Sequence, residues 1–218
     1  MRSMLSIVMM IPFLLAGINP SLRSQTPAES ANTSDSSISA WNFSTSLYFY
    51  YLPDDDPFLL PIAYVDRDRL HLEARYNYED FRTLSLFAGW SFGFGEVIQL
   101  EAIPMLGGVI GNTMGLAPAL ELNLTWRSLE LYTEAEYVFD LEDSRANFFY
   151  NWAEVNYYPL DWLQLGITSQ QTGEAGADWL VESGFLAGVG YRNYSGVFYL
   201  FNPGRDDLFY IFSLGVDF

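Results

Sequence analysis

Glutamates that alternate with apolar or small residues are the chemically most informative feature of this chain. Glu134 and Glu136, for example, are separated only by Ala135. In an extended strand, alternate side chains share a face, so such glutamates lie together on one face. The charged residues that follow this pattern are Glu73, Glu101, Glu121, Glu130, Glu134, Glu136, Glu154 and Glu182, with Arg75 and Arg192. A surface on which eight carboxylates face two guanidinium groups attracts cations and repels anions.

Catalytic and metal-binding chemistry has little support in the sequence. The chain has no Cys, which removes disulfides, thiolate catalysis and cysteine metal sites. Its single histidine, His71, lies within an alternating run, where a hydrogen bond to a carboxylate accounts for it. Ser85 could lie beside His71, but adjacent strands offer such pairs in any sheet. We therefore predict no catalytic residue, no metal site and no cofactor.

The elements that must position these charges are β-strands. Apolar residues occupy every second position in runs such as Trp41–Tyr51, Leu70–Tyr78 and Leu129–Tyr137. This is the period of a strand, whereas a helix would spread the same residues around its axis. Turn-forming residues separate the runs at eleven places, among them Gly93–Gly95 and Gly107–Gly115. Eleven connections predict twelve strands.

The last twelve residues carry the most specific signal of fold. Tyr210, Phe212, Leu214, Val216 and Phe218 alternate with small or polar residues up to the chain end. This segment resembles the closing strand of bacterial outer-membrane β-barrels of the porin type, and Leu70–Asp80 resembles a segment of uncharacterised barrel proteins. The resemblance implies an all-β, transmembrane antiparallel up-and-down β-barrel in the bacterial outer membrane. It also implies two partners, outer-membrane lipid and the barrel-assembly machinery, the latter reading the strand that ends at Phe218.

The N-terminal segment supports the same location. Arg2 is followed by the uncharged, mostly apolar stretch Met4–Gly17 and then by small or polar residues, which is the layout of a secretory signal. We predict a signal peptide at 1–24, a disordered lead-in at 25–39 and the barrel at 40–218. The alternative is a retained helical anchor, although prolines interrupt its apolar stretch.

Composition agrees with a barrel in lipid. Half of the residues are hydrophobic and 17% are aromatic, yet the rest of the chain has no apolar run long enough for a membrane helix. Alternating strands can place this apolar surface against lipid without any such run. A soluble ligand-binding barrel would need polar residues on the outer face. Aromatic residues at strand ends predict girdles at the membrane surfaces, while Tyr48, Tyr50, Tyr132, Tyr150 and Trp152 are candidates for the inner face.

The strand count depends on one short run, Leu59–Val65, which contains Pro61. Without this run the barrel would have eleven strands, whereas single-chain bacterial barrels favour even numbers. We therefore keep it and predict twelve strands.

The negative charge of the chain limits the functions that the barrel can have. The net charge of −17 becomes −19 once the signal peptide with Arg2 and Arg23 is removed, which argues against a nucleic-acid partner. Unpaired glutamates inside a barrel require a hydrated lumen, protonated carboxyl groups or bound cations. We predict a hydrated lumen, because twelve strands enclose more space than eight. The predicted function is passive passage of small cationic or neutral solutes, and the alternative is a structural or adhesion barrel acting through its loops.

Overall fold

The computed structural model describes residues 40–174 and 178–218, which form one closed antiparallel sheet. The predicted signal peptide and lead-in, 1–24 and 25–39, lie outside the described residues. The strands are β1 Asn42–Tyr51, β2 Phe58–Arg67, β3 Leu70–Tyr76, β4 Leu84–Trp90, β5 Phe92–Phe94, β6 Gln99–Ile110, β7 Gly115–Trp126, β8 Leu129–Asp140, β9 Phe148–Leu160, β10 Leu163–Glu174, β11 Leu180–Tyr191, β12 Tyr194–Phe201 and β13 Phe209–Asp217.

The sheet closes into a barrel through its first and last strands. β1 pairs with β13 in a register that sets Leu47 opposite Leu214. On the far side of the barrel, β4 and β5 both pair with β6, so they form one wall strand interrupted at Ser91. The barrel therefore has twelve wall strands, each beside its neighbours in sequence. This confirms the predicted up-and-down barrel, including the strand that contains Pro61.

Helices contribute almost nothing to this architecture. The described residues contain one short 3₁₀ turn, Ser144–Ala146. Within ranges 40–174 and 178–218, no helix has the length and hydropathy to cross a bilayer.

The two rims of the barrel differ in the length of their connections. At the rim where β1 begins and β13 ends, here called the terminal rim, the connections are short. Asp68, Arg127 and Arg192 each begin a two-residue turn there, with φ of 54°, 56° and 56°. Positive φ is what tight hairpins require. The opposite rim, here called the loop rim, carries longer connections such as 141–147 and 202–208. Short and long connections thus lie at opposite rims.

Two predicted connections are placed differently by the structure. Gly93 lies in β5, and the chain reverses at 95–98, where Gly95 has φ of 83°. The predicted connection Gly107–Gly115 shrinks to residues 111–114, because 107–110 extend β6. Gly107 marks close packing instead of a turn, since a Cβ there would clash with the ring of Phe87. The connection between β6 and β7 is therefore short.

The two faces of the wall follow the predicted alternation. Outward positions expose large apolar side chains such as Leu106, Ile167 and Phe185. Five of the six tryptophans lie exposed near strand ends, as expected of membrane-surface girdles, while Trp152 is buried inside. Tyr48, Tyr50, Tyr132, Tyr150 and Trp152 are all buried on the inner face, as proposed from their positions in the sequence.

Candidate functional site

A charged network crosses the lumen from β3 to β8. Arg75 Nη1 donates to Glu134 Oε1 at 2.6 Å and to Glu136 Oε2 at 3.3 Å, and Arg75 Nε donates to Glu73. Arg75 Nη2 also lies 4.0 Å from Glu121. We call these five residues the arginine cluster. Because β3 and β8 are not neighbours in the sheet, Arg75 links two separate parts of the wall.

Strand geometry explains why these carboxylates meet. Glu134 and Glu136 are two residues apart on β8, and therefore share its inner face. The register of β7 and β8 sets Glu121 directly opposite Glu134. Glu73 and Arg75 share the inner face of β3 in the same way. Alternation thus determines that these side chains point into the lumen, and strand register determines that Glu121 and Glu134 lie side by side.

Aromatic rings enclose the guanidinium of Arg75, which is only 1% exposed. Its central carbon lies 4.0 Å from the ring centre of Tyr78 and 4.3 Å from that of Phe87. Both rings stabilise the cation through their π faces. Gly107 leaves the space that the Phe87 ring occupies. The cluster is therefore held by packing as well as by charge.

Tyr78 corrects one expectation from the sequence. Alternation predicts that it points outward with Tyr76, yet it is buried and its hydroxyl donates to Glu134. The reason is that β3 ends at Tyr76 and Asn77 adopts φ of 59°, which resets the alternation. The spacing of the apolar residues does not reveal this change, although asparagine is a residue type that adopts positive φ more readily than most.

The arginine cluster carries more negative than positive charge. One guanidinium faces four carboxylates, and a fifth, Glu79, accepts a hydrogen bond from Ser85 close by. One oxygen of Glu79 and one of Glu136 are buried without a hydrogen-bond partner. Buried carboxylates of this kind require a compensating proton or cation.

His71 lies between two carboxylates at the edge of the same cluster. Its Nδ1 is 2.7 Å from Asp66 Oδ1, and its Nε2 is 2.6 Å from Glu73 Oε1. This confirms that the histidine is paired with a carboxylate. The pair of His71 with Ser85 does not form, because Ser85 Oγ donates to Glu79 instead.

A second group of polar residues surrounds Glu154 on β9. This carboxylate accepts hydrogen bonds from Trp152 Nε1 at 2.9 Å, Asn156 Nδ2 at 2.9 Å and Tyr199 Oη at 3.1 Å. Three donors from two wall strands thus satisfy it without any basic residue. Glu154 is a fixed part of the inner wall.

The other predicted glutamates also face the lumen or its mouth. Glu130 accepts from Tyr158 Oη at 3.1 Å, and Glu182 accepts from Asn202 Nδ2 at 3.2 Å. Glu101 accepts from Ser91 Oγ at 2.6 Å and is exposed at the terminal rim. Every predicted glutamate is therefore on the inner face, although only some of them belong to the arginine cluster.

Arg192 is the predicted site residue that the structure does not place in the lumen. β11 ends at Tyr191, and Arg192 opens the exposed turn to β12, with its guanidinium 5.3 Å from the Tyr191 ring centre. Alternation no longer applies to a residue in a left-handed turn. Among the described residues, Arg75 is consequently the one arginine buried in the lumen.

The middle of the lumen is more tightly packed than predicted. Tyr48 and Tyr199 line a cavity of about 20 Å³ beside Glu154, and the ring of Trp152 packs against that of Tyr199 with 5.6 Å between the ring centres. Such a volume holds roughly one water molecule. The water-filled interior predicted from the strand count is not seen at this level. Large aromatic side chains on the inner face are the reason.

Comparison with solved structures finds barrels of the same fold. The KdgM porin has a TM-score of 0.56 and 12% identity, over 80% of this chain and 98% of that chain. The same porin in complex with disordered oligogalacturonate has a TM-score of 0.55, and the NanC porin 0.53, each at 12% identity and the same coverage. Comparison with family profiles and with curated proteins gives no match. At this identity the likeness concerns the fold, which is that of a porin-like outer-membrane barrel.

Proposed function

We propose that this barrel is an outer-membrane channel that passes small cationic or neutral solutes and excludes anions. The observation that carries the proposal is the charge of the inner wall. Glutamates from β3, β7, β8, β9 and β11 face the lumen, against one buried arginine among the described residues. In a confined space of low dielectric constant, such an excess raises the local concentration of cations.

The outer face supports a position in the membrane. A belt of exposed leucine, isoleucine, valine and phenylalanine surrounds the barrel, with tryptophans near the strand ends. The short connections of the terminal rim would face the periplasm, as in other such barrels. In this orientation the strand ending at Phe218 would be available to the barrel-assembly machinery. In the closed barrel, the backbone N–H of Phe218 donates to the carbonyl oxygen of Phe43.

Solute charge separates this channel from one of its structural neighbours. The KdgM porin was solved with oligogalacturonate, whose sugar units carry carboxylates. A polyanion of that kind would meet the carboxylates of Glu121, Glu134 and Glu136 here, and repulsion would exclude it. The proposed solutes therefore have the opposite charge or none.

Selectivity can be tested by neutralising the arginine cluster. We expect the combined change Glu121→Gln, Glu134→Gln and Glu136→Gln to lower the preference for K⁺ over Cl⁻, measured as the reversal potential of planar bilayers under a KCl gradient. Lumen substitutions tune selectivity while the lipid face is left intact. The matched control is Asp54→Asn, Asp55→Asn and Asp56→Asn at the loop rim, which removes the same charge outside the lumen. Anion preference in the unmodified protein would overturn the acidic-lumen mechanism.

The side chains packed inside the lumen limit the ionic current that the channel can carry. Passage requires the inward side chains to move aside, so we expect a small conductance. Trp152→Ala removes the largest of the fully buried side chains, and we expect it to raise single-channel conductance. Trp179→Ala, at an exposed position near the loop rim, is the control and should leave conductance unchanged. Equal conductance in both variants would place the solute path away from Trp152.

The packed interior also favours a second candidate function. A barrel whose lumen is filled by side chains can serve as a structural or adhesion protein that acts through its loops. The cavity of about 20 Å³ beside Glu154 is the observation in its favour. Zero conductance of the purified, folded protein at neutral pH would select this function over the channel.

A further inference from the structure

We propose that His71, Glu73 and Glu121 form a binding site for a divalent transition-metal ion such as Zn²⁺. A ring nitrogen of His71 and one carboxylate oxygen from each glutamate lie within 4.8 Å of one another. Imidazole nitrogen with carboxylate oxygen is a ligand set that Zn²⁺ accepts and that Ca²⁺ and Mg²⁺ do not favour. The three residues come from the inner faces of β3 and β7, which rigid sheet pairing holds in place.

Asp66 supplies the support that a metal-binding histidine usually has. Its Oδ1 lies 2.7 Å from His71 Nδ1, on the side of the ring opposite Glu73. A proton on Nδ1 is therefore held by Asp66, and Nε2 faces Glu73. Histidine ligands of metals commonly donate their second ring N–H to a carboxylate in this way, which fixes the ring and its tautomer.

A buried hydroxyl beside the three residues is the second observation. Tyr132 is 4% exposed, and its hydroxyl has no hydrogen-bond partner. Tyr132 shares the inner face of β8 with Glu134, the residue that lies directly opposite Glu121 on β7. A buried hydroxyl needs a partner. A water molecule bound to the metal would supply one at this position.

The excess of carboxylates over cationic groups also favours a bound metal ion. Glu73 is shared by His71 and Arg75, and Glu121 lies at 4.0 Å from a guanidinium already occupied by Glu134 and Glu136. A dication at this edge of the cluster would offset carboxylates that Arg75 cannot neutralise. An ion can also reach it, because the side chains of Asp66 and Glu121 remain 42% and 14% exposed.

Metal binding at this site must release a proton whenever His71 is protonated on both nitrogens. The Nε2–H bond breaks, the proton leaves to solvent, and the nitrogen lone pair forms the bond to the metal. Affinity therefore rises with pH, as for other histidine sites. The proposal goes beyond the channel function. Binding is measured on the folded barrel without conduction, so the two ideas can fail separately.

The chain's single histidine makes a direct test feasible. The folded, detergent-solubilised protein, without a histidine tag, is labelled with ¹⁵N-histidine and titrated with ZnCl₂. We expect one ring nitrogen of His71 to shift on addition of one equivalent of Zn²⁺, while an excess of Ca²⁺ leaves it unchanged. Unchanged ring signals with Zn²⁺, or equal shifts with Ca²⁺, would overturn the site.

Variants then assign the ligands through competition with a chromogenic zinc chelator. We expect His71→Gln and Glu121→Gln to abolish tight binding, and Asp66→Asn to weaken it about 10–100-fold. Glu182→Gln, an inward glutamate outside the site, is the control and should bind as the unmodified protein does. Heat-dependent gel mobility establishes that each variant is folded. Wild-type affinity in folded Glu121→Gln would remove Glu121 from the site and with it the proposal.

Discussion

Replacing Arg75 by glutamine is expected to lower the free energy of unfolding by about 3–5 kcal/mol. The guanidinium is the shared partner of Glu73, Glu134 and Glu136 across the lumen. Its removal leaves these carboxylates buried beside one another without a cation, which is strongly destabilising. A glutamine keeps a polar side chain but is shorter than arginine and cannot supply the charge.

The measurement is urea-induced unfolding in detergent micelles, followed by tryptophan fluorescence. Arg192→Gln is the matched control, because this arginine lies exposed in a turn, where surface substitutions usually change stability by no more than about 0.5 kcal/mol. The sign of the pH dependence can also be stated. At low pH the carboxylates are protonated and need no cation, so the two variants should converge. Equal stability of the two variants at neutral pH would contradict the proposed role of Arg75.

Part of this cluster can be predicted from the sequence, because the period of a strand is a local property. Glu134 and Glu136 must share a face once the segment is extended, whatever the rest of the chain does. Alternation likewise assigns Glu121 and Glu154 to the inner face. It also identifies the outward residues, such as Leu131, that meet lipid.

The contacts themselves could not be predicted, because they depend on register and on the closure of the barrel. Arg75 reaches Glu134 only because β3 and β8 approach each other across the lumen at matching heights. Alternation contains no information on the stagger between strands. The pairing of His71 with Asp66 likewise depends on the hairpin register of β2 and β3.

Strand ends are where the sequence argument fails most clearly. Tyr78 and Arg192 both lie one or two residues beyond a strand, where a residue with positive φ redirects the chain. One residue that alternation sends outward is buried, and one that it sends inward is exposed. Turn conformation decides such positions, and the spacing of apolar residues says nothing about it.

The tight packing of the interior could not be predicted from the strand number for a different reason. Strand number determines the width of the cylinder, but the free space also depends on the volume of the inward side chains. Trp152, Tyr48 and Tyr199 occupy much of it beside Glu154. Alternation assigns Tyr48 and Trp152 to this face but does not show that the ring of Trp152 meets that of Tyr199.

The position of the lipid can be tested with one substitution at two depths. Leu120 and Leu116 point outward from β7, Leu120 near the middle of the strand and Leu116 near the loop rim. Their side chains are 38% and 49% exposed. We expect Leu120→Arg to cost about 2–4 kcal/mol in a bilayer, because a charge at the midplane of the membrane is far from water. Leu116→Arg should cost only about 0–1 kcal/mol, because arginine near the interface reaches the headgroups.

The comparison isolates depth, since both variants change leucine to arginine on the same face of the same strand. Reversible unfolding in lipid bilayers gives the two free energies. A barrel surrounded by water instead of lipid would tolerate arginine equally at both positions. Equal free-energy costs of the two substitutions would therefore contradict a position in the membrane. A larger cost at Leu116 would show that the hydrophobic belt is centred nearer the loop rim. The difference between the two leucines thus measures where the bilayer lies on the barrel.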